Sequence, residues 1–201
     1  MALQSGRSGT RYTNRKYPSL HAAGREDVDV LMLGRGREFV LELSSPHSRT
    51  IDLVELAKQV NGSGSVEIDD LQVVGKEQVE RVKSTRHDKT YLAHIESERD
   101  IDADRFHKAV SELSGKIIYQ RTPLRVSGRR ADLIRERVVK KATTLSIDGS
   151  HATVEITAEA GTYIKELVNG DEGRTNPSLS GLYGSNLKVE KLDVLAIEEE
   201  T

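Results

Sequence analysis

Residues 135–158 read RERVVKKATTLSIDGSHATVEITA, and this stretch decides the fold that we predict. The runs at 135–147 and 151–158 are rich in Val, Ile and Thr, which favour strands. Between them, Asp148, Gly149 and Ser150 form a typical turn sequence. The stretch therefore predicts a β-hairpin of two antiparallel strands.

Outward from the hairpin, predicted strands and helices alternate along the chain. Apolar residues at helical spacing predict helices at 53–60, 76–82, 103–113 and 164–168. Extended or alternating apolar runs predict strands at 28–33, 39–43, 66–74, 89–96, 116–120 and 187–197. Short turns join several strand pairs, so the predicted class is α+β, with a mixed, mostly antiparallel sheet flanked by helices. We expect residues 1–20 to form an N-terminal arm or an extraneous remnant, and residues 21–201 to form one domain.

Composition narrows the class of protein. The 201 residues are 36% hydrophobic and 31% charged, which is typical of a globular chain with a highly charged surface. No apolar run approaches the roughly 18–20 residues of a membrane span. The first residues do not form a signal peptide, so we expect a cytoplasmic protein. The absence of cysteine excludes disulfides and thiolate metal sites.

The sequence contains no familiar motif for a cofactor or a metal. No third glycine follows Gly34-Arg35-Gly36 at the spacing of a dinucleotide-binding loop, and no Gly-Lys-Ser/Thr phosphate loop occurs. The six histidines are scattered, with no pair four positions apart. We therefore expect a protein that uses neither a cofactor nor a metal.

Basic charge is concentrated in one segment although the net charge is −2. Residues 121–141 contain two acids and eight basic residues, which are Arg121, Arg125, Arg129, Arg130, Arg135, Arg137, Lys140 and Lys141. A local cluster of this kind favours binding to nucleic-acid phosphates. The alternative is that the cluster is the solvated face of a hairpin.

Three short motifs contain candidate catalytic residues. They are GREDVDV at 24–30, KTY at 89–91 and AGTYIKEL at 160–167. Taken singly, each has an ordinary structural explanation: a turn before a strand, a half-buried tyrosine in a sheet, and a solvated lysine in a helix.

Together, the motifs resemble those of the pseudouridine synthases. In that superfamily an Asp follows Gly-Arg-x, a Tyr lies in a Lys-x-Tyr strand, and a Lys or Arg ends Gly-Thr-Tyr-Ile-Lys/Arg. The resemblance is closest to the archaeal and eukaryotic branch numbered ten among the eukaryotic enzymes, which modifies uridines 54 and 55 in the T arm of tRNA. It runs from about residue 17 to the C-terminus, and it includes LGRGR at 33–37, TPLRV at 122–126, Arg129-Arg130, GD at 170–171 and GRT at 173–175.

The resemblance implies a tRNA pseudouridine synthase domain at residues 21–201, with the fold of that family and a central RNA-binding cleft. Asp27 would be the catalytic carboxylate, acting either as a nucleophile or as a base. Lys165 would pair with Asp27 and keep it ionised. Tyr91 would stack on the target base. The geometric expectation is that Asp27 and Lys165 lie within about 4 Å, with Tyr91 on the same wall of the cleft.

The resemblance also implies a set of substrate-binding residues. Arg25 would fill the gap left by the extruded uridine, and Leu167 would form an apolar floor. The remaining members of the set are Arg125, Arg129, Arg130 and Tyr163. The segment at 121–141 would overhang the cleft as a mobile basic loop that grips the RNA.

Two other acids are rivals to Asp27. Both Glu26 and Asp29 belong to the same motif. Alternation along the predicted strand places Asp27 and Asp29 on one face, so Asp29 is the stronger rival.

The sequence departs from the family pattern at a few positions. Gly128 and Asn169 stand where a histidine is expected, and Glu38 stands where a proline is expected, so local RNA contacts would differ. Family members also carry an N-terminal region with a cysteine zinc site and an RNA-binding domain. This cysteine-free chain is therefore expected to be a catalytic domain alone, a monomer whose partner is tRNA.

Two alternative functions stay open. A non-catalytic RNA-binding or tRNA-folding module could share the fold, but Asp27, Tyr91 and Lys165 are all retained, whereas a decayed enzyme would have lost one. A hydrolase of nucleosides or glycans could use Asp27 and Asp29 as a carboxylate pair. That function leaves the basic segment at 121–141 without a role.

Overall fold

The computed structural model describes residues 18–22, 24, 26, 27, 29–34, 36–46 and 48–198. These residues divide into two units. The larger unit contains residues 24–37 and 86–198, and the smaller contains residues 18–22 and 38–85. The division of the chain into an arm at 1–20 and a domain at 21–201 stays a prediction.

The helices and strands follow one another in a mixed order. In chain order the elements are β1 (Ser19–Ala22), β2 (Leu31–Met32), β3 (Phe39–Glu42), α1 (Leu53–Asn61), α2 (Lys76–Ser84), β4 (Lys89–Ser97), α3 (Ala103–Leu113), β5 (Ile117–Arg121), β6 (Ile134–Asp148), β7 (His151–Ala158), α4 (Ile164–Asn169), β8 (Thr175–Asn176), α5 (Leu179–Tyr183) and β9 (Leu187–Ile197). Single turns of 3-10 helix lie at Leu124–Val126 and Asp171–Gly173. Among the described residues, no helix combines the length and the apolar character that crossing a membrane requires.

The larger unit is built on a seven-stranded sheet with the order β2-β9-β4-β7-β6-β5-β8. Within it β2 pairs with β9 in parallel, and the other strand pairs are antiparallel. The predicted hairpin is confirmed as β6 and β7, where Asp148 faces His151 across the turn. The predicted α+β class with a mixed, mostly antiparallel sheet is therefore confirmed.

The core of this unit lies between one face of the sheet and the helices. Alternate residues of β4 (Tyr91, Ala93 and Ile95) are buried, as the two-residue period of a strand requires. Helix α3 buries Phe106, Ala109, Val110 and Leu113 at helical spacing. Phe106 meets Tyr183 of α5 edge to face, with ring centroids 5.7 Å apart. Asp102 caps α3 through its carboxylate, which accepts from the Arg105 N–H at 3.0 Å.

The smaller unit consists of the two-stranded antiparallel sheet β1–β3 with α1 and α2. The predicted strand at 66–74 is wrong. The backbone of Ile68 bonds to the side-chain amide of Asn61, at 2.8 Å to the oxygen and 2.9 Å from the nitrogen, instead of to a neighbouring strand. Asp70 has φ +48°, which interrupts an extended run. The strand-like residues of this segment therefore occur without strand pairing.

Candidate active site

Asp27 and Asp29 lie in a turn that leads into β2. The Val30 N–H donates to the Asp27 carbonyl at 3.1 Å, so the chain turns here, and the strand predicted at 28–33 is reduced to Leu31–Met32. Asp27 and Asp29 therefore lie in a turn and not on one face of a strand, and that prediction is wrong. The turn nevertheless brings both carboxylates to the same lysine.

That lysine, Lys165, lies in the first turn of α4. Gly161 has φ +81°, a conformation that glycine adopts without strain, and the chain turns there from β7 towards the helix. The buried side chain of Gln120 holds the residue at the start of α4. Its Oε1 accepts from the Tyr163 N–H at 2.9 Å, and its Nε2 donates to the Tyr163 carbonyl at 3.0 Å.

Five charged side chains meet at this point. Lys165 Nζ lies 2.7 Å from Asp29 Oδ2 and 3.5 Å from Asp27 Oδ2. Arg125 donates through Nη1 to Asp27 Oδ1 at 2.7 Å and through Nε to Glu166 Oε1 at 2.6 Å. We call these five residues the charge cluster: three carboxylates and two cations.

The cluster ranges from buried to exposed. The side chain of Glu166 is 4% exposed, that of Asp27 34% and that of Asp29 62%. The hydrogen bond from Lys165 lowers the pKa of Asp29. Burial of Arg125 disfavours its charged form, but the hydrogen bonds to Glu166 and Asp27 outweigh burial and raise the pKa of Arg125. Arg125 is therefore a permanent cation in this environment.

Glu26 belongs to a second ionic group next to the cluster. Its side chain is 8% exposed and pairs with both Lys89 and Arg37, and Arg37 also donates to the Gly24 carbonyl at 3.0 Å. These contacts join the two ends of residues 24–37 and fix them to the start of β4. Since Glu26 is buried and paired with two cations, its carboxylate is not accessible to a substrate. Its contacts have a structural role, and it is not a rival to Asp27 as the catalytic acid.

Comparison with known proteins gives the family. The sequence profile described as Pus10, C-terminal, matches residues 8–198, nearly the whole chain. This chain belongs to the Pus10 C-terminal family.

Curated members of the Pus10 family are close in sequence. The tRNA pseudouridine synthase Pus10 of Thermoplasma acidophilum is 51% identical over 189 residues, which are 94% of this chain and 49% of that protein. The tRNA pseudouridine synthase Pus10 of Picrophilus torridus is 52% identical over 178 residues, which are 89% of this chain and 46% of that protein. The chain thus spans about half the length of the curated Pus10 relatives it matches.

A solved structure overlaps with part of the chain. A chain from the crystal structure of a Cbf5-Nop10-Gar1 complex is 26% identical, with a TM-score of 0.46. The overlap covers 55% of this chain and 30% of that chain.

The structure brings together some of the site residues predicted from the Pus10-like motifs. Asp27, Lys165 and Arg125 meet in the charge cluster, and the Arg125 guanidinium lies 6.0 Å from the centre of the Tyr163 ring. The predicted approach of Asp27 to Lys165 agrees with the observed 3.5 Å. Arg25 lies outside the described residues.

Tyr91 and Leu167 lie in the hydrophobic core, 6% and 0% exposed. Lys89, two residues earlier in β4 than Tyr91, pairs with Glu26, the residue before Asp27. Burial, followed by the charge of Glu26, raises the pKa of the Tyr91 phenol above its usual range. The roles of both residues towards a base stay predictions.

The basic segment differs from the single loop expected at 121–141. Residues 134–141 form part of β6, since they pair with β5 and β7, and the loop is limited to 122–133. Its base is fixed by Thr122, whose hydroxyl donates to the Ala131 carbonyl at 2.6 Å, and by Asp132, which pairs with Arg121 and Arg174. Arg129 and Arg130 are exposed and form no ion pair with any described residue.

Sequence reasoning missed two residues of the site. In the sequence, Glu166 is only one letter of a motif, and Gln120 is only the end of a predicted strand. The burial of Glu166 could have been inferred from the short length of the helix that follows Gly161. A helix of six residues exposes few of its side chains to solvent when it is packed against the core.

Among the described residues, no group of three or more His, Asp or Glu side chains could hold a metal ion.

Proposed function

We propose that this chain is the catalytic domain of a tRNA pseudouridine synthase that isomerises uridine in the T arm of tRNA, at position 54, position 55 or both. Membership of the Pus10 C-terminal family supports the reaction class.

The observation that carries the proposal is the convergence of the candidate residues in the charge cluster. Arg125 and Asp27 are 98 positions apart, and Lys165 and Asp29 are 136 positions apart, so nothing local forces them together. A purely structural role for Asp27, Arg125 and Lys165 does not explain why a partly exposed carboxylate lies between two cations. Such a carboxylate is what the reaction requires.

Pseudouridine formation breaks the bond between N1 of the base and the sugar, rotates the base, and joins C5 to the same sugar carbon. The proton on C5 is lost and N1 gains one, so no redox step or group donor is needed. Asp27 would act on the sugar, either by attacking it or by taking a proton from it. Lys165 and Arg125 favour the ionised carboxylate that either role requires.

The remaining site residues are assigned to the base and the RNA. We assign Tyr91 to stacking on the uracil and Leu167 to the apolar floor beneath it. Arg25 would occupy the space that the uridine leaves on extrusion, because a stacked base cannot be reached in place. Arg129 and Arg130, which are exposed in the loop at 122–133, would contact phosphates, with Tyr163 and Arg125 nearer to the target nucleotide.

We further propose that the domain acts as a cytoplasmic monomer, without a cofactor or metal, and that its substrate is a folded tRNA. A second function, RNA binding or tRNA folding without turnover, would use the same surface. Only the formation of pseudouridine distinguishes the synthase from this non-catalytic function.

The deciding experiment is to incubate the chain with unmodified tRNA transcript and map pseudouridine by carbodiimide treatment and primer extension. We expect the primer extension to stop at a site that reports pseudouridine at position 54 or 55. This stop should be absent when the Asp27→Asn variant replaces the wild-type chain. Binding of tRNA with no pseudouridine would support the non-catalytic module. Release of free uracil would instead indicate a hydrolase.

A further inference from the structure

We propose that Glu166 is a positioning residue: it fixes the guanidinium of Arg125, and Arg125 in turn holds the carboxylate of Asp27. The inference rests on the proposed function, in which Asp27 acts on the sugar.

Arg125 can serve both carboxylates because they use different nitrogens. Glu166 Oε1 lies 2.6 Å from Nε, and Glu166 Oε2 lies 3.4 Å from Nη2. Asp27 Oδ1 lies 2.7 Å from Nη1, the third nitrogen of the guanidinium. A planar fork with fixed donors makes this geometry possible, and a lysine could not reproduce it.

The burial of the partners indicates which of them fixes the arginine. The Glu166 side chain is 4% exposed and, among the described residues, bonds only to Arg125. A buried carboxylate without its cation is strongly disfavoured. Glu166 therefore keeps the Arg125 guanidinium in one position. Asp27 is 34% exposed and has a second cation in reach, so its hold on Arg125 is weaker.

The backbone beside Arg125 is also anchored. The Leu124 N–H donates to Asp171 Oδ2 at 3.0 Å, which fixes the chain one residue before Arg125.

Asp27 depends on Arg125 because its other cation, Lys165, is shared with Asp29. Lys165 contacts Asp29 at the shorter distance of 2.7 Å. Arg125 is thus the closer cation to Asp27, and Glu166 determines where that cation stands.

The first test measures catalysis with Glu166→Gln, which keeps the size of the side chain and removes its charge. We expect the single-turnover rate constant at saturating tRNA to fall by up to about 100-fold, the scale of a misplaced catalytic group. The Kd for tRNA should change far less than this rate constant, because Glu166 is buried and the exposed cations Arg129 and Arg130 of the loop at 122–133 are unaltered. Glu112→Gln, at an exposed pair in α3, is the matched control and should leave both values unchanged.

A double-mutant cycle separates positioning from a structural role. If Glu166 acts through Arg125, Glu166→Gln should cause no further loss of rate when Arg125→Met is already present. The change in melting temperature should have opposite signs in the two backgrounds. Glu166→Gln should lower it in the wild type and raise it in Arg125→Met, where it removes an unpaired buried charge. Rate losses that multiply in the cycle would overturn the proposal.

The last measurement does not depend on activity. It therefore tests the role of Glu166 even when no pseudouridine is formed and the proposed function fails. Nitrogen-15 relaxation of the Arg125 Nε–H should report an ordered side chain in the wild type and in Asp27→Asn, but a mobile one in Glu166→Gln. Glu166→Asp, which keeps the charge and shortens the reach, is the second variant if Glu166→Gln does not fold, and it should also loosen Arg125. An Arg125 that stays ordered without Glu166, or loses order in Asp27→Asn, contradicts the inference.

Discussion

Lys165 lies 2.7 Å from the carboxylate of Asp29, a shorter contact than its 3.5 Å approach to Asp27. The turn at residues 27–30 makes this arrangement, because it directs two acids separated by one residue towards one ammonium group. The nearer acid is the more exposed one, at 62%. The carboxylate nearer to Lys165, that of Asp29, is therefore not the one that we propose as catalytic, and substitution can separate the two.

We expect Asp27→Asn to reduce pseudouridine formation by at least about 10²-fold, because it removes the carboxylate that we propose as catalytic. Asp29→Asn is the matched variant, with the same change of charge two residues away, and it should retain most of the activity. Primer extension on carbodiimide-treated tRNA measures the product, and filter binding checks that both variants still bind tRNA. Loss of activity in Asp29→Asn with Asp27→Asn active would transfer the catalytic role to Asp29.

The lowered pKa of Asp29 predicts a dependence of stability on pH. Because the folded-state pKa is below the ordinary value of 3.8, the ion pair with Lys165 stabilises the fold above that value. The contribution is lost as the pH falls through the folded pKa. The difference in unfolding free energy between the wild type and Asp29→Asn should be constant above about pH 5 and should shrink below it. Urea unfolding at a series of pH values measures it, and a difference that grows towards low pH would contradict the assignment.

Reversal of charge at Arg129 and Arg130 should weaken tRNA binding and its salt dependence. Each phosphate that the loop no longer neutralises reduces the slope of log K against log salt by roughly 0.7–0.9, the values for single-stranded nucleic acid and B-form DNA. The control is Arg99→Glu with Lys116→Glu, two exposed cations of the same unit outside the loop at 122–133. An equal change of slope in both double variants would mean that net charge, and not this loop, determines binding.

The Gln120 contact with Tyr163 predicts a loss of stability on substitution. Gln120→Met keeps the volume of the side chain but removes the 2.9 Å partner of the Tyr163 N–H, whereas the Tyr163 carbonyl still accepts from the Leu167 N–H. We expect the variant to be less stable by about 1–3 kcal/mol, because the Tyr163 N–H becomes unsatisfied at a position that is partly shielded from water. Urea unfolding gives the value from a shifted midpoint at constant m. Gln59→Met, exposed on α1, should stay within about 0.5 kcal/mol of the wild type.

The sequence predicted most of the elements of the larger unit because their signals are local. The hairpin β6–β7 and the helix capped by Asp102 follow from period, turn residues and cap, and these do not depend on distant contacts. The strand predicted at 66–74 failed for the complementary reason. Whether an extended run becomes a strand depends on a neighbour to pair with, and Asn61 supplies a side chain instead.

For the site, motif order predicted the meeting of Asp27 and Lys165 but not the contacts that complete the cluster. The bond from Arg125 to Asp27 depends on how the loop at 122–133 folds back, which no local pattern contains. Glu166 was missed because a charged residue in a helix is ordinarily solvated. Its burial follows from packing on both sides of a short helix.

The shared guanidinium has an evolutionary consequence. A lineage that lost Arg125 would keep a buried acid with no counterion, and one that lost Glu166 would leave an arginine held by Asp27 alone. Each single replacement leaves a charge without its partner, whereas exchange of both for uncharged residues removes that penalty and loses only the cation beside Asp27. Positions 125 and 166 should therefore be inherited as a pair, retained together or replaced together as Pus10-like domains diverge.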